Sequence, residues 1–295
     1  MNQAKPVNPV KAVYRSPSGI GKRIKVSSLI KYVLLILFAL IWILPVVFMA
    51  FTALKSPADL FSSAFYHLPK KFQWSNLWKA WETGKMNIYM KNSFFISVIK
   101  VPLGIFISSL AAFALTRLKY RWSNITFAVF LVGMMVPFQA ALIPLNLLFT
   151  RIGLMDTHLG LMMIYIGFGI PFAILVLRGF FRTIPTELDE AAKIDGCSDF
   201  ALYWRIIMPI ATPAVATLII IDFLHTWNEF LLAQIFIRSN ELRTVPTGLM
   251  NFKGEFSTDY GLLNAGVLIS VLPILIVYLI FQRFFVSGLA GAVKG

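Results

Sequence analysis

The sequence predicts an all-α membrane protein with six spanning helices and a compact helical segment between the fourth and fifth. Three observations carry that expectation. Apolar residues make up 58% of the chain and charged residues only 14%, where soluble domains carry about 25% charge. The apolar residues come in long uncharged blocks rather than in the short periodic pattern of a one-sided soluble element. The 27 Lys and Arg, which leave a net charge of +14, sit mostly between and outside those blocks. In a membrane protein that is where basic residues belong, so the charge needs no nucleic-acid partner.

The first block is the sharpest. Tyr32 to Leu54 contains no charged residue and covers roughly 34 Å as a helix, enough for the hydrocarbon core. It exceeds a signal-peptide core and lacks a small-residue cleavage site after it, so it is expected to act as an uncleaved anchor. A basic tail, 1–31, precedes it. Five further blocks complete a spanning domain over 32–285: about 92–116, 124–149, 159–177, 213–237 and 262–282. A short tail, 286–295, follows. Pro45, Pro102, Pro137, Pro144, Pro171 and Pro273 fall inside the blocks and predict kinks, which neighbouring helices tolerate in a membrane.

Orientation follows from the flanking charges. The N-terminal tail holds seven Lys or Arg, the link after the second block holds Arg117, Lys119 and Arg121, and the link after the fourth holds Arg178, Arg182, Lys193 and Arg205. This side of the membrane collects sixteen basic residues and the other side ten. Both termini and the segment after Phe180 are therefore expected in the cytoplasm. On the outer side, Trp74, Trp78 and Trp81 share one helical face, as in a helix lying along the interface. One cysteine, Cys197, excludes an intrachain disulfide, and no Cys/His cluster has metal-ligand spacing.

The link over 182–209 concentrates Glu187, Asp189, Glu190, Asp195 and Asp199 in a chain with 13 acids. Thr186 and the acids after it favour a helix start, and Gly196 favours a stop, so a short helix, a turn and a second helix from about Asp199 are expected. The order Glu190, Ala191, Ala192, then Gly196, then Ile206, Met208 and Pro209 resembles the EAA motif of importer-type ABC permeases, with Met208 where leucine is usual. Trp227 to Phe230, Thr244 to Leu249 and the ending from Phe281 look like the carbohydrate-uptake permeases related to the second maltose-transporter subunit.

That resemblance implies a type I ABC importer permease fold in the cytoplasmic membrane of a bacterium or archaeon. It implies that Glu190, Ala191, Ala192, Gly196 and Pro209 belong to a coupling helix docked on a cytoplasmic ATP-binding subunit. It also implies a second, homologous permease, two copies of the ATPase, and an extracellular or periplasmic sugar-binding protein. The outer loop with Asn251, Lys253, Gly254 and Glu255 would reach that protein, and the C-terminal tail would run toward the ATPases. The chain itself is expected to be no enzyme and to hold no cofactor. ATP and Mg2+ would belong to the partner, because the nearest glycine-rich stretch, Gly19 to Lys22, lacks phosphate-loop spacing.

Inside the membrane, Asp222, His225 and Glu229 fall on one face of the fifth block, with Trp227 and Asn228 beside them. An acid at a helix centre costs about 2.5–3.5 kcal/mol on insertion scales, so this face should meet protein or a wet path. Two readings stay open for it: sugar contacts along a translocation path, or bonds that hold the helices together. A secondary transporter using Asp222 and Glu229 as ion sites is the alternative from another class.

Overall fold

A computed structural model describes residues 26–62, 66–118, 120–254 and 258–292. The N-terminal tail up to residue 25, Glu255 and the last three residues lie outside the described residues. The chain divides into two units, 1–47 and 48–295. Helix α1 is Val26–Ala53. Within the first unit its large apolar side chains from Leu29 to Leu44 are exposed on every side. A helix apolar all round has no aqueous face, so its surroundings are lipid or other apolar protein.

In the second unit, two short helices, α2 (Pro57–Ser62) and α3 (Ser75–Trp81), lead into α4 (Met86–Arg117). Helices α5 (Ser123–Met135) and α6 (Phe138–Arg151) follow, then α7 (His158–Phe181). The cytoplasmic link expected from the sequence forms α8 (Glu187–Ile194), α9 (Asp199–Leu202), a π-helical stretch over Tyr203–Ile207 and α10 (Met208–Ile210). Helices α11 (Thr212–Asn228), α12 (Leu231–Phe236), α13 (Val245–Gly248) and α14 (Tyr260–Ala292) complete the fold.

Among the described residues, four helices are long and apolar enough to cross a membrane, and the number rises to six if each of two bent pairs makes one crossing. One bend falls inside the expected third block, where Pro137 predicted a kink, and the other just before the expected fifth block. The third block bends by 94° between α5 and α6, at Val136 and Pro137, both in extended backbone. Proline disfavours helix in the residue before it, which accounts for the break. Near the fifth block, the chain turns by 75° at Ala211, between Pro209 and Pro213. That block opens again after Asn228, where Glu229 leaves helical backbone. By contrast Pro102 and Pro171 sit inside continuous helices.

The core forms where α4 packs along α7, with α11 against both and against α14. Ser93, Ser97, Ser108 and Ser109 of α4 are buried, and small side chains let helix backbones approach closely. The Ser109 hydroxyl lies 2.6 Å from that of Tyr203, and Ser93 accepts a hydrogen bond from the Val245 amide at 2.8 Å. Close approach reaches its limit at Gly248, where a Cβ would come within 2.1 Å of the Tyr89 ring. The Thr244 to Leu249 sequence thus makes a tight helix, α13, seated on α4.

Candidate functional site

The residues singled out by the sequence fall in three places, and α4 bonds to all three. Helix α8 begins with Glu187, Asp189 and Glu190 in its first turn and has Lys193 in its last, both favourable to the helix dipole. Gly196 ends it in the left-handed region at φ +78°. There the Cys197 amide donates to the Ala192 carbonyl at 2.9 Å, the closing bond of a glycine-terminated helix. Ser198 then caps α9, accepting from the Ala201 amide at 3.3 Å.

Arg117, the last residue of α4, ties this segment down. Its guanidinium pairs with Asp189 at 3.0 Å and donates to the carbonyls of Phe181 and Ile184, each at 2.8 Å. Burial raises the Asp189 carboxyl above the usual range, with Arg117 pulling the other way. Glu190, Ala191, Gly196 and Pro209 are exposed, and Ala192 is buried in the core. The two alanines of the motif therefore face opposite ways, Ala192 inward and Ala191 outward. Ile194 and Phe200 are exposed beside them, at 87% and 65%. Apolar side chains this open on the segment fit a docking face. The sequence reading missed the Arg117–Asp189 tie, whose only signal was a basic residue at a helix end and an acid in the motif.

On α11 the polar residues do different jobs. Asp222 pairs with Lys100 of α4, with the Lys100 side chain 4% exposed. Lys100 lies inside the bundle, where Asp222 provides its counter-charge. Glu229 stands at the break between α11 and α12. It accepts from the Leu232 and Ala233 amides at 2.7 and 3.0 Å and from the Tyr165 hydroxyl at 2.6 Å. It thereby satisfies the free amides that open α12. Trp227 is 1% exposed, stacks on Phe223 and donates to the Ser270 carbonyl at 3.1 Å. His225 and Asn228 are exposed, and the Asn228 amide donates to the Leu224 carbonyl at 2.9 Å. The face expected to be shared by the acids is thus divided: Asp222, Trp227 and Glu229 bond within the bundle, and His225 and Asn228 face outward.

At the other end of α4, the Tyr89 hydroxyl donates to Asn240 Oδ1 at 3.1 Å and bonds Asn251, which also holds Asn240 at 2.8 Å. These residues line a cleft of about 610 Å3 together with Lys85 and Asp259. Lys253 is exposed and forms an isolated antiparallel bridge with Thr258, next to Gly254. Tyr89 and Arg117 are separated by roughly 42 Å of helix at 1.5 Å per residue. The EAA-like segment and the outer loop therefore sit at opposite ends of one continuous helix.

A family model described as "Binding-protein-dependent transport system inner membrane component" matches residues 102–290. A probable ABC transporter permease protein, YurM of Bacillus subtilis, is 37% identical over 90% of this chain and 88% of its own length. A probable starch degradation products transport system permease protein, AmyC of Thermoanaerobacterium thermosulfurigenes, is 34% identical over 88% of this chain and 94% of its own length. Among solved structures, a chain of a bacterial ABC transporter involved in the import of the acidic polysaccharide alginate shares the fold. Its TM-score is 0.77 at 22% identity, covering 90% of this chain and 98% of that one.

Proposed function

The chain belongs to the binding-protein-dependent transport system inner membrane components, and from that membership we propose that it is a permease subunit moving a sugar or oligosaccharide across the cytoplasmic membrane. The names of AmyC and of other relatives, such as the arabinooligosaccharide permease AraQ of Bacillus subtilis, support a carbohydrate cargo. The observation that carries the mechanism is the length of α4, which is anchored at one end by Tyr89 to the outer loop and at the other by Arg117 to α8.

In this reading both termini and α8 are cytoplasmic. Two copies of an ATP-binding subunit, holding ATP and Mg2+, grip the exposed face around Glu190, Ala191 and Gly196. Movement of α8 is carried through Arg117 into α4, and the bundle, paired with a second permease, opens alternately to each side. An external binding protein delivers the sugar near Asn251, Lys253 and Gly254. His225 and Asn228 on the exposed side of α11 are the residues placed to touch cargo. Affinity resides outside, so weak contacts within the membrane suffice.

An ion-coupled carrier built on Asp222 and Glu229 is not favoured. Asp222 is already paired with Lys100, and Glu229 accepts three hydrogen bonds. Reconstitution with the binding protein, the second permease and the ATPase tests the proposal. Labelled oligosaccharide should enter vesicles only when ATP and the binding protein are both present. Uptake driven by an ion gradient without ATP would refute it.

A further inference from the structure

Arg178, near the end of α7, is a charge that the described residues leave uncompensated. It is 8% exposed, donates through Nη2 to Asn124 Oδ1 at 3.0 Å, and lies 3.9 Å over the Phe127 ring. Its Nε is buried without a partner. Among the described residues no carboxylate forms an ion pair with Arg121, Arg178 or Arg182. The charged side chain acting on Arg178 is a second cation, Arg182, with Tyr120 also in range. An aromatic face and one amide offset only part of what a guanidinium loses on leaving water, so Arg178 retains unmet capacity for an anion.

We propose that Arg178 and Arg182, with Tyr120 and Asn124, seat the phosphate of an anionic phospholipid headgroup where α5 begins and α7 ends. Arginine is suited to this because its planar fork meets phosphate oxygens in pairs. The surroundings select a lipid over a soluble anion. Tyr120 and Trp122 are 40% and 58% exposed, and aromatic rings of this kind collect at the headgroup level. Helix α5 buries none of its residues, and Ile125 and Val129, one turn apart on it, are exposed. A ligand bound here meets cations at its head and an apolar helix face along its tail, which is the chemistry of an acidic lipid. Basic pockets between helices at a membrane surface bind such headgroups. The inference needs only that these helix ends reach a membrane surface, so it is independent of the cargo.

The full chain, purified in a zwitterionic detergent, can be offered phosphatidylglycerol or phosphatidylcholine of the same acyl chains, with retained lipid read by native mass spectrometry. Phosphatidylglycerol should be retained preferentially. Arg182→Gln and Arg178→Gln should each reduce its retention by about five-fold, the worth of roughly 1 kcal/mol per cation near a membrane surface. Lys79→Gln, an exposed lysine elsewhere, should leave retention unchanged. Arg182 is exposed, so its variant keeps the test valid if Arg178→Gln misfolds. Equal retention of the two lipids, or unchanged retention in Arg182→Gln, would overturn the proposal. Loss of the lipid to millimolar inorganic phosphate would overturn it too, by making free phosphate the ligand.

Discussion

Lys100 and Asp222 form a buried charge pair between α4 and α11, and removing one member leaves the other unpaired in a low-dielectric bundle. Asp222→Asn or Lys100→Met should each cost on the order of 3–5 kcal/mol, seen as a large fall in the thermal midpoint in detergent. The reversed pair, Lys100→Asp with Asp222→Lys, should recover part of that loss. No recovery would mean that neither charge acts through the other. Glu229 poses a separate question, because its three bonds all serve the break between α11 and α12. Glu229→Ala should destabilise by about 2–3 kcal/mol, since bonds to a charged acceptor are the stronger kind. An unchanged midpoint combined with lost transport would instead assign Glu229 to the cargo.

Helix α8 is an element whose ends are set by backbone chemistry. Gly196 has a left-handed backbone, yet a Cβ there would meet no atom within 4 Å. Gly196→Asp should therefore cost only about 1–2 kcal/mol of folding, insert normally, and still abolish ATPase copurification and transport, because its side chain would project from the face proposed to dock the ATPase. Retained transport would remove α8 from the coupling role. At the end of the bundle away from α8, Asp156 clasps the connector after α12, accepting from the Arg238 and Ser239 amides at 2.8 and 2.9 Å. Burial acts to raise its carboxyl, but the bonds from Ser239 and Arg238 outweigh that and hold it below the ordinary range. A depressed folded value means the clasp is fully present above the ordinary carboxylate pKa of about 3.9 and is lost as pH falls through the lower value. The hydrogen-exchange protection factor of the Ser239 amide, taken against the intrinsic rate at each pH, should fall on strong acidification in the wild type. In Asp156→Ala it should be low already at neutral pH, and strong protection there would show the clasp to be dispensable.

Across the whole molecule, the sequence made legible the features set by one-dimensional patterning. The uncharged blocks, the acidic link and the glycine that ends its helix are all local, and α4, α7, α8 and Gly196 stand where composition and turn chemistry put them. What it left hidden depends on partners distant in the chain. Whether an acid on α11 faces a path or a neighbour is decided by Lys100, 122 residues away, and by Tyr165, 64 residues from Glu229. The 94° bend at Pro137 was foreshadowed only as a kink, since proline marks a place to bend and tertiary packing sets how far. Ala191 and Ala192 read alike in sequence, and only the packing of α8 on the core shows which of them is buried. The central claim is that this chain converts the action of a separate ATPase into passage across the membrane. Copurification of the tagged chain from cells expressing its genomic neighbours tests that most directly. An ATP-binding subunit in two copies and one second permease per chain should be recovered, with the ATPase lost selectively in Gly196→Asp. Recovery of the chain without any ATP-binding protein would contradict that claim.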